Sequence, residues 1–194
     1  ICTTTPTHYN LTVKCLENEK HVLCEKPLGK TEEEINYCFR LANSMNLKLL
    51  VAYQKRFDNN YSQLYETIQD KQRNGQDIKY IHLTTRDHPR PSLEYLKTSN
   101  GIVEDMMSHD IDIANLYMRF EIPEKVVAFT HTYSPVLQEI NEIEEIVITM
   151  KYSTGQMVTL TGSRDAKHGY DQRVEIYGDF GVYKVLSLTK NLIS

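Results

Sequence analysis

Two short apolar runs, Val22-Leu23-Cys24 and Leu49-Leu50-Val51-Ala52-Tyr53, flank a stretch that opens on the capping box Thr31-Glu32-Glu33-Glu34. Thr31 can accept from the Glu34 amide while the Glu34 carboxylate reaches back, and Ile35, Phe39, Ala42 and Met45 then recur at helical spacing. Upstream, Ile1-Cys2-Thr3-Thr4 reads as the tail of a strand. Thr5-Pro6 breaks it, and Thr7 is a fair N-cap for a helix to about Leu16. Strand, helix, strand, helix, strand in this order demands crossovers, and their fixed hand makes the sheet parallel.

After Arg56-Phe57-Asp58 the rhythm changes. Tyr61, Leu64, Tyr65 and Ile68 mark one amphipathic helix ending near Asn74-Gly75, and strands then dominate: Tyr80 to Thr85, Lys125 to Thr132, Ile146 to Tyr152, Met157 to Thr161 and Arg173 to Tyr177. Ser153-Thr154-Gly155-Gln156 is a hairpin signal, Asp87 to Asn100 a long Pro-broken loop, and Met107 through Phe120 a helix. The expected fold class is α/β. The second half of a Rossmann-type parallel sheet, residues 1–58, precedes an α+β domain with a mostly antiparallel sheet and helices on one face, residues 59–194. Ile146, Ile148 and Met150 beside Val158 and Leu160 would stock either an association surface or the core beneath those helices.

Composition removes several function classes. A net charge of -4 lacks the cationic excess that phosphate-backbone binding requires, so nucleic acid is not an expected partner. No apolar run approaches the roughly 18 residues of a membrane span, and no signal segment is visible; a cytoplasmic location is expected. Cys2, Cys15, Cys24 and Cys38 form no Cys-x-x-Cys pair and read as buried free thiols on apolar faces.

Two polar clusters carry chemistry. Glu25-Lys26-Pro27 sets a lysine at the end of a short buried strand, the edge where open α/β sheets gather ligands. Far downstream, Asp105-Met106-Met107-Ser108-His109-Asp110-Ile111-Asp112 places Asp105 and His109 one helical turn apart on one face. Together they suggest an acid/base site drawing on both domains. A surface lysine, an N-cap aspartate and a helix-surface histidine are the plainer readings of the same residues. A metal held by His109, Asp110 and Asp112 is not expected, because on a helix these acids point away from the histidine. Asp179-Phe180-Gly181 reads as a turn between strands.

These motifs, in order, resemble the Gfo/Idh/MocA family of nicotinamide-dependent sugar and cyclitol dehydrogenases, in its inositol 2-dehydrogenase-like branch. The resemblance is carried by Thr3-Thr4-Thr5-Pro6-Thr7-His8, by Lys20 to Leu28 around Glu25-Lys26-Pro27, by Tyr53-Gln54-Lys55-Arg56-Phe57-Asp58, by Gly101 to Asp112, and by Gly169-Tyr170-Asp171-Gln172-Arg173 to Gly178. It implies a catalytic set of Lys26, Asp105 and His109. It further implies NAD or NADP held on its nicotinamide side by Thr3, Thr5, Pro6, His8, Glu25, Lys26 and Pro27. Lys55, Arg86, His88 and Tyr170 are candidates for binding a polyol or sugar substrate, with no metal. The family also implies homo-oligomerisation through the second domain's sheet.

One departure bears on the cofactor. The family's Gly-x-Gly-x-x-Gly turn, which lets the backbone approach a pyrophosphate, is not formed by any of the 8 glycines. That turn, and the acidic residue that reads the ribose, are expected before Ile1, and Leu186-Ser187-Leu188-Thr189 reads as a strand awaiting sheet partners. The chain is therefore expected to be a piece of a longer dehydrogenase, or else a catalytically inactive fragment or interaction module.

Overall fold

The computed structural model describes residues 1–186; the expected strand residues Ser187 to Thr189 lie outside them. The chain divides into two compact units, residues 1–54 and residue 55 onward, a few residues before the boundary expected near Asn59.

In the first unit, helix α1 (His8–Glu17), strand β1 (Val22–Cys24), helix α2 (Glu32–Ser44) and strand β2 (Leu49–Val51) alternate, and β1 pairs β2 in parallel. Ile1 adds a rung on the opposite edge of β1, donating to the Leu23 carbonyl and accepting from the Glu25 amide at 2.9 Å. Leu16, Val22, Cys24, Leu28, Cys38 and Ala42 form the core. Two local readings change. The buried stripe of α2 runs through Cys38 and Ala42, and Phe39 is exposed, because the face turned to the sheet lies one residue earlier. Thr7 makes no side-chain cap; its hydroxyl turns back to the Thr4 carbonyl at 2.8 Å, closing the 3-10 turn Thr5–Thr7 that precedes α1.

Thr31 caps α2 as expected, accepting from the Glu34 amide at 3.3 Å, while the Glu34 carboxylate takes the Lys30 amide at 2.6 Å. Cys24 and Cys38 are buried, and burial pushes the Cys38 thiol up to about 11, so it carries no thiolate near neutral pH. Cys2 is exposed and Cys15 half-buried, a correction to the expectation that all four are buried.

The second unit is built on helix α3 (Asn59–Arg73), strand β3 (Ile78–Arg86), the short helix α4 (Leu93–Leu96), helix α5 (Ser108–Tyr117), strand β4 (Lys125–His131), helix α6 (Pro135–Glu139) and strands β5 (Glu145–Lys151), β6 (Met157–Ser163), β7 (Asp171–Gly178) and β8 (Gly181–Leu186). Among the described residues the sheet order is β4-β5-β6-β3-β7-β8. Only the central β3–β6 pair is parallel. The stretch expected as one long loop contains α4, whose N-cap Ser92 accepts from the Tyr95 amide at 3.2 Å.

Alternation along the strands decides which face is packed. Ile81 and Leu83 of β3, Ile146, Ile148 and Met150 of β5, Val158 and Leu160 of β6, and Val174 and Ile176 of β7 join Tyr61, Leu64 and Ile68 of α3 and Ile113, Ala114 and Tyr117 of α5 in one core. Each fully buried aliphatic side chain of this kind contributes about 1.5–3 kcal/mol. Ile146, Ile148, Met150, Val158 and Leu160 are thus core residues and cannot form an association surface. The opposite face, uncovered by these helices, carries exposed Val127, Phe129, Val147 and Met157.

A π-helical turn, Val103–Met107, runs directly into α5. Met106 and Met107 lie against β6 at Gly162, where a Cβ would stand 2.4 Å from the Met107 sulfur and 2.9 Å from Ile146 Cγ2. Glycine at this point lets the turn that carries Asp105 settle onto the sheet. No helix among the described residues is long and apolar enough to cross a membrane.

Candidate active site

In the first unit, the loops at the carboxyl end of β1 and before α1 are tied by one side chain. His8 is 1% exposed, and its two ring nitrogens face the carbonyl oxygens of Pro27 at 2.7 Å and Thr3 at 3.0 Å. The Thr3 and Thr7 hydroxyls share a further bond at 2.7 Å, and the Lys26–Pro27 peptide is cis. Of the residues expected to meet a cofactor, His8 is therefore an internal strut. Thr3, Pro6 and Glu25 are exposed around it, with Thr5, Lys26 and Pro27 half-buried. None of the 8 glycines forms the Gly-x-Gly-x-x-Gly turn that would let a pyrophosphate approach, so these residues are candidates for the nicotinamide end alone.

In the second unit, polar side chains gather where β3 and β6 end and β7 begins. Lys55 donates to Asp110 at 2.7 Å and to the Thr85 hydroxyl at 3.4 Å, and Thr85 donates to the Gln172 side chain at 3.2 Å. Asp110 is buried in the first turn of α5, and among the described residues its Oδ2 has no hydrogen-bond partner; nor has the buried Tyr61 hydroxyl. The Lys55 ammonium lies 5.9 Å from the centre of the Tyr61 ring. Burial, and to a lesser degree the Asp110 carboxylate, pushes the Tyr61 phenol well above its ordinary range. The half-exposed Tyr170 phenol is raised by burial first, then by the Asp87 and Asp110 carboxylates, with Gln172 acting the other way.

Next to Lys55, Arg56 forms a bidentate pair with Asp112, its Nε donating at 2.7 Å, and stacks its guanidinium 5.5 Å from the Phe120 ring. Asp110 and Asp112 are thus both committed to cations, which is how α5 tolerates two buried carboxylates.

A third group centres on Arg164, which follows β6 and is fully buried. Its Nε donates to Glu142 at 2.8 Å, its Nη1 to Asp105 at 2.8 Å and its Nη2 to the Ser99 hydroxyl at 3.5 Å, with Asp87 at 3.8 Å. The Tyr95 hydroxyl donates to the other Asp105 oxygen at 2.6 Å. The neighbouring carboxylates more than offset the burial penalty on Arg164 and raise its pKa. Asp105 is accordingly no N-cap of α5; it sits within the π turn, one helical turn before the half-buried His109.

Of the four residues expected to meet substrate, the structure links Lys55 and Tyr170 through Thr85, Gln172 and the shared Asp110 field. Arg86 lies on the uncovered sheet face, donating to Glu145 at 3.3 Å, one position from Thr85 and so on the other side of the strand. His88 is exposed in the following loop. Sequence reasoning did not single out Tyr61, Thr85, Tyr95, Asp110, Arg164 or Gln172, which the structure gathers in these polar groups. Asp110 directly follows His109 and Gln172 lies two residues after Tyr170, and these were the available signals.

Residues 1–53 match a family model described as an oxidoreductase family with an NAD-binding Rossmann fold, and residues 72–184 match the GFO/IDH/MocA C-terminal domain. Among curated proteins, the chain is 30% identical to a myo-inositol 2-dehydrogenase of Thermotoga maritima, over 93% of this chain and 54% of that one. An inositol 2-dehydrogenase of Rhizobium meliloti is 31% identical, with the same two coverages. A solved scyllo-inositol dehydrogenase of Lactobacillus casei, with NAD(H) and scyllo-inositol bound, superposes with a TM-score of 0.86 at 28% identity over 100% of this chain and 58% of that one. The chain spans about half the length of the curated relatives it matches.

Proposed function

We propose that this chain, which belongs to the Gfo/Idh/MocA oxidoreductase family, serves in an NAD-dependent dehydrogenase that oxidises a secondary hydroxyl of a cyclitol, as its inositol dehydrogenase relatives are named for doing. The observation that carries the reading is the polar array at the end of the second unit's sheet. Lys55, Thr85, Gln172 and Tyr170 form a run of donors and acceptors suited to a ring of hydroxyls, set beside the first turn of α5 that bears His109. Among the described residues the buried Asp110 Oδ2 and Tyr61 hydroxyl have no hydrogen-bond partner, and the hydroxyls of a bound ring could satisfy them.

Oxidising an alcohol removes a hydride from carbon and a proton from oxygen. His109 is assigned the proton, since an imidazole is half-protonated near neutral pH and can take it as the bond to hydrogen breaks. Lys26 is assigned the oxygen, where its ammonium stabilises developing alkoxide charge. Asp105, one helical turn before His109, is assigned the role of orienting that imidazole. Thr3, Thr5, Pro6, Glu25 and Pro27, braced by His8, would hold the nicotinamide end of the cofactor. The bound nicotinamide supplies the hydride acceptor.

The test is reduction of NAD by the natural polypeptide containing this sequence, offered myo-inositol, scyllo-inositol and, as a comparison, open-chain polyols. Turnover with a cyclitol is expected, and turnover with none of them would remove the reading. Association with a second copy through the sheet face bearing Val127, Phe129 and Val147 belongs to the same proposal; a monomer in light scattering would remove that part alone.

A further inference from the structure

We infer that Tyr95 and Arg164 are positioning residues for the reaction: together they clamp Asp105 from two sides and fix the direction in which its carboxylate acts. The inference rests on the dehydrogenase reading above and names residues which that reading leaves without a role.

Three observations carry it. First, both Asp105 oxygens are engaged, Oδ2 by Arg164 at 2.8 Å and Oδ1 by the Tyr95 hydroxyl at 2.6 Å, so the carboxylate cannot rotate without breaking a charge-assisted bond. Second, the arrangement exceeds what burying Arg164 requires. Glu142 already supplies one full counter-charge at 2.8 Å, and Asp105 at 2.8 Å and Asp87 at 3.8 Å set two further carboxylates against the same guanidinium. Third, Asp105 stands in a π turn inserted immediately before α5, a departure from α-helical winding of the sort that concentrates at functional sites.

Tyr95 separates positioning from folding. Its residue is 48% exposed, and α4 is anchored by buried Leu96 and by the Ser92 cap, neither of which involves the phenol oxygen. Removing that oxygen takes away one bond to Asp105 and little else. Arg164 is the rigid side of the clamp, since its planar fork reaches Glu142 and Asp105 at once, a geometry a lysine cannot reproduce.

The experiment compares wild type, Tyr95→Phe, Asp105→Asn and the Tyr95→Phe/Asp105→Asn double variant in the natural polypeptide, with cyclitol and NAD as substrates. Tyr95→Phe is expected to lower kcat about 10-fold, with KM for the cyclitol within about twofold and the melting temperature nearly unchanged, as follows from losing one hydrogen bond to a charged group. Added to Asp105→Asn, it is expected to change kcat by less than about twofold, because the bond it removes then has no carboxylate to orient. An unchanged kcat in Tyr95→Phe, or an undiminished loss on the Asp105→Asn background, overturns the clamp while leaving the dehydrogenase reading in place. Absence of cyclitol turnover in the wild type overturns both.

Discussion

His109→Ala and Lys26→Ala, each made in the natural polypeptide containing this sequence, are expected to lower cyclitol oxidation by roughly 10²–10⁴-fold, the range that positioned acid/base groups contribute. The loss should fall on kcat and kcat/KM alike, because in the proposed function both side chains act where charge moves in the transition state rather than where the substrate is merely held. Tyr170→Phe offers the contrast. In the proposed function its phenol belongs to the hydroxyl-binding array, so KM should rise while kcat holds. Steady-state assays over a range of cyclitol concentrations distinguish the two patterns. Near-normal kcat in both the His109 and Lys26 variants would remove these residues from the chemistry.

The second large effect is on stability. Arg164→Met is expected to cost about 3–5 kcal/mol, measured as a fall in the urea midpoint at unchanged slope, since breaking a buried ion cluster from one side strands its partners. Here the stranded groups are Glu142 and Asp105, which lose the bonds at 2.8 Å that compensate their burial. Such a loss is a large share of the roughly 5–15 kcal/mol by which domains are stable. Tyr95→Phe, at the exposed side of the same cluster, should leave the midpoint almost where it was. If Arg164→Met cost less than about 1 kcal/mol, the cluster would have no more weight than a surface pair.

The elements governed by local rules were legible in the sequence. The capping box at Thr31 forms its bond to the Glu34 amide, the apolar runs at Val22 and Leu49 pair in parallel, and Ser153 to Gln156 turns between β5 and β6. Alternation at Ile146, Ile148 and Met150 announced a strand, yet it could not say which face would be covered, because period two is the same for a core and for an interface. Packing against α5 decides it. The family motifs pointed to His109 and Lys26, and hydrogen bonds run through a neighbour of each: Asp110 takes the Lys55 ammonium, and the Pro27 carbonyl faces His8.

What stayed hidden depends on distance along the chain. Arg164 follows Gly162-Ser163 and precedes Asp165, a context that reads as a polar strand end; its partners lie 22 residues away at Glu142 and 59 away at Asp105. Lys55 and Asp110 are 55 residues apart, and no periodicity links them. The π turn likewise has no sequence signature: Met106 and Met107 are both buried because Gly162 leaves room for them, and that fit exists only once the sheet has formed. Arg86 and Thr85 are neighbours in sequence and opposites in space, so a loop-based guess about substrate contacts could not separate them.

Isotope transfer tests the central claim most directly. A cyclitol deuterated at its reacting carbon is turned over with NAD by the natural polypeptide, and the reduced nicotinamide is isolated. Hydride transfer places the deuterium on the nicotinamide ring and slows turnover when that step limits the rate. Deuterium recovered in water, or a cyclitol returned unoxidised with its label intact, would contradict the account.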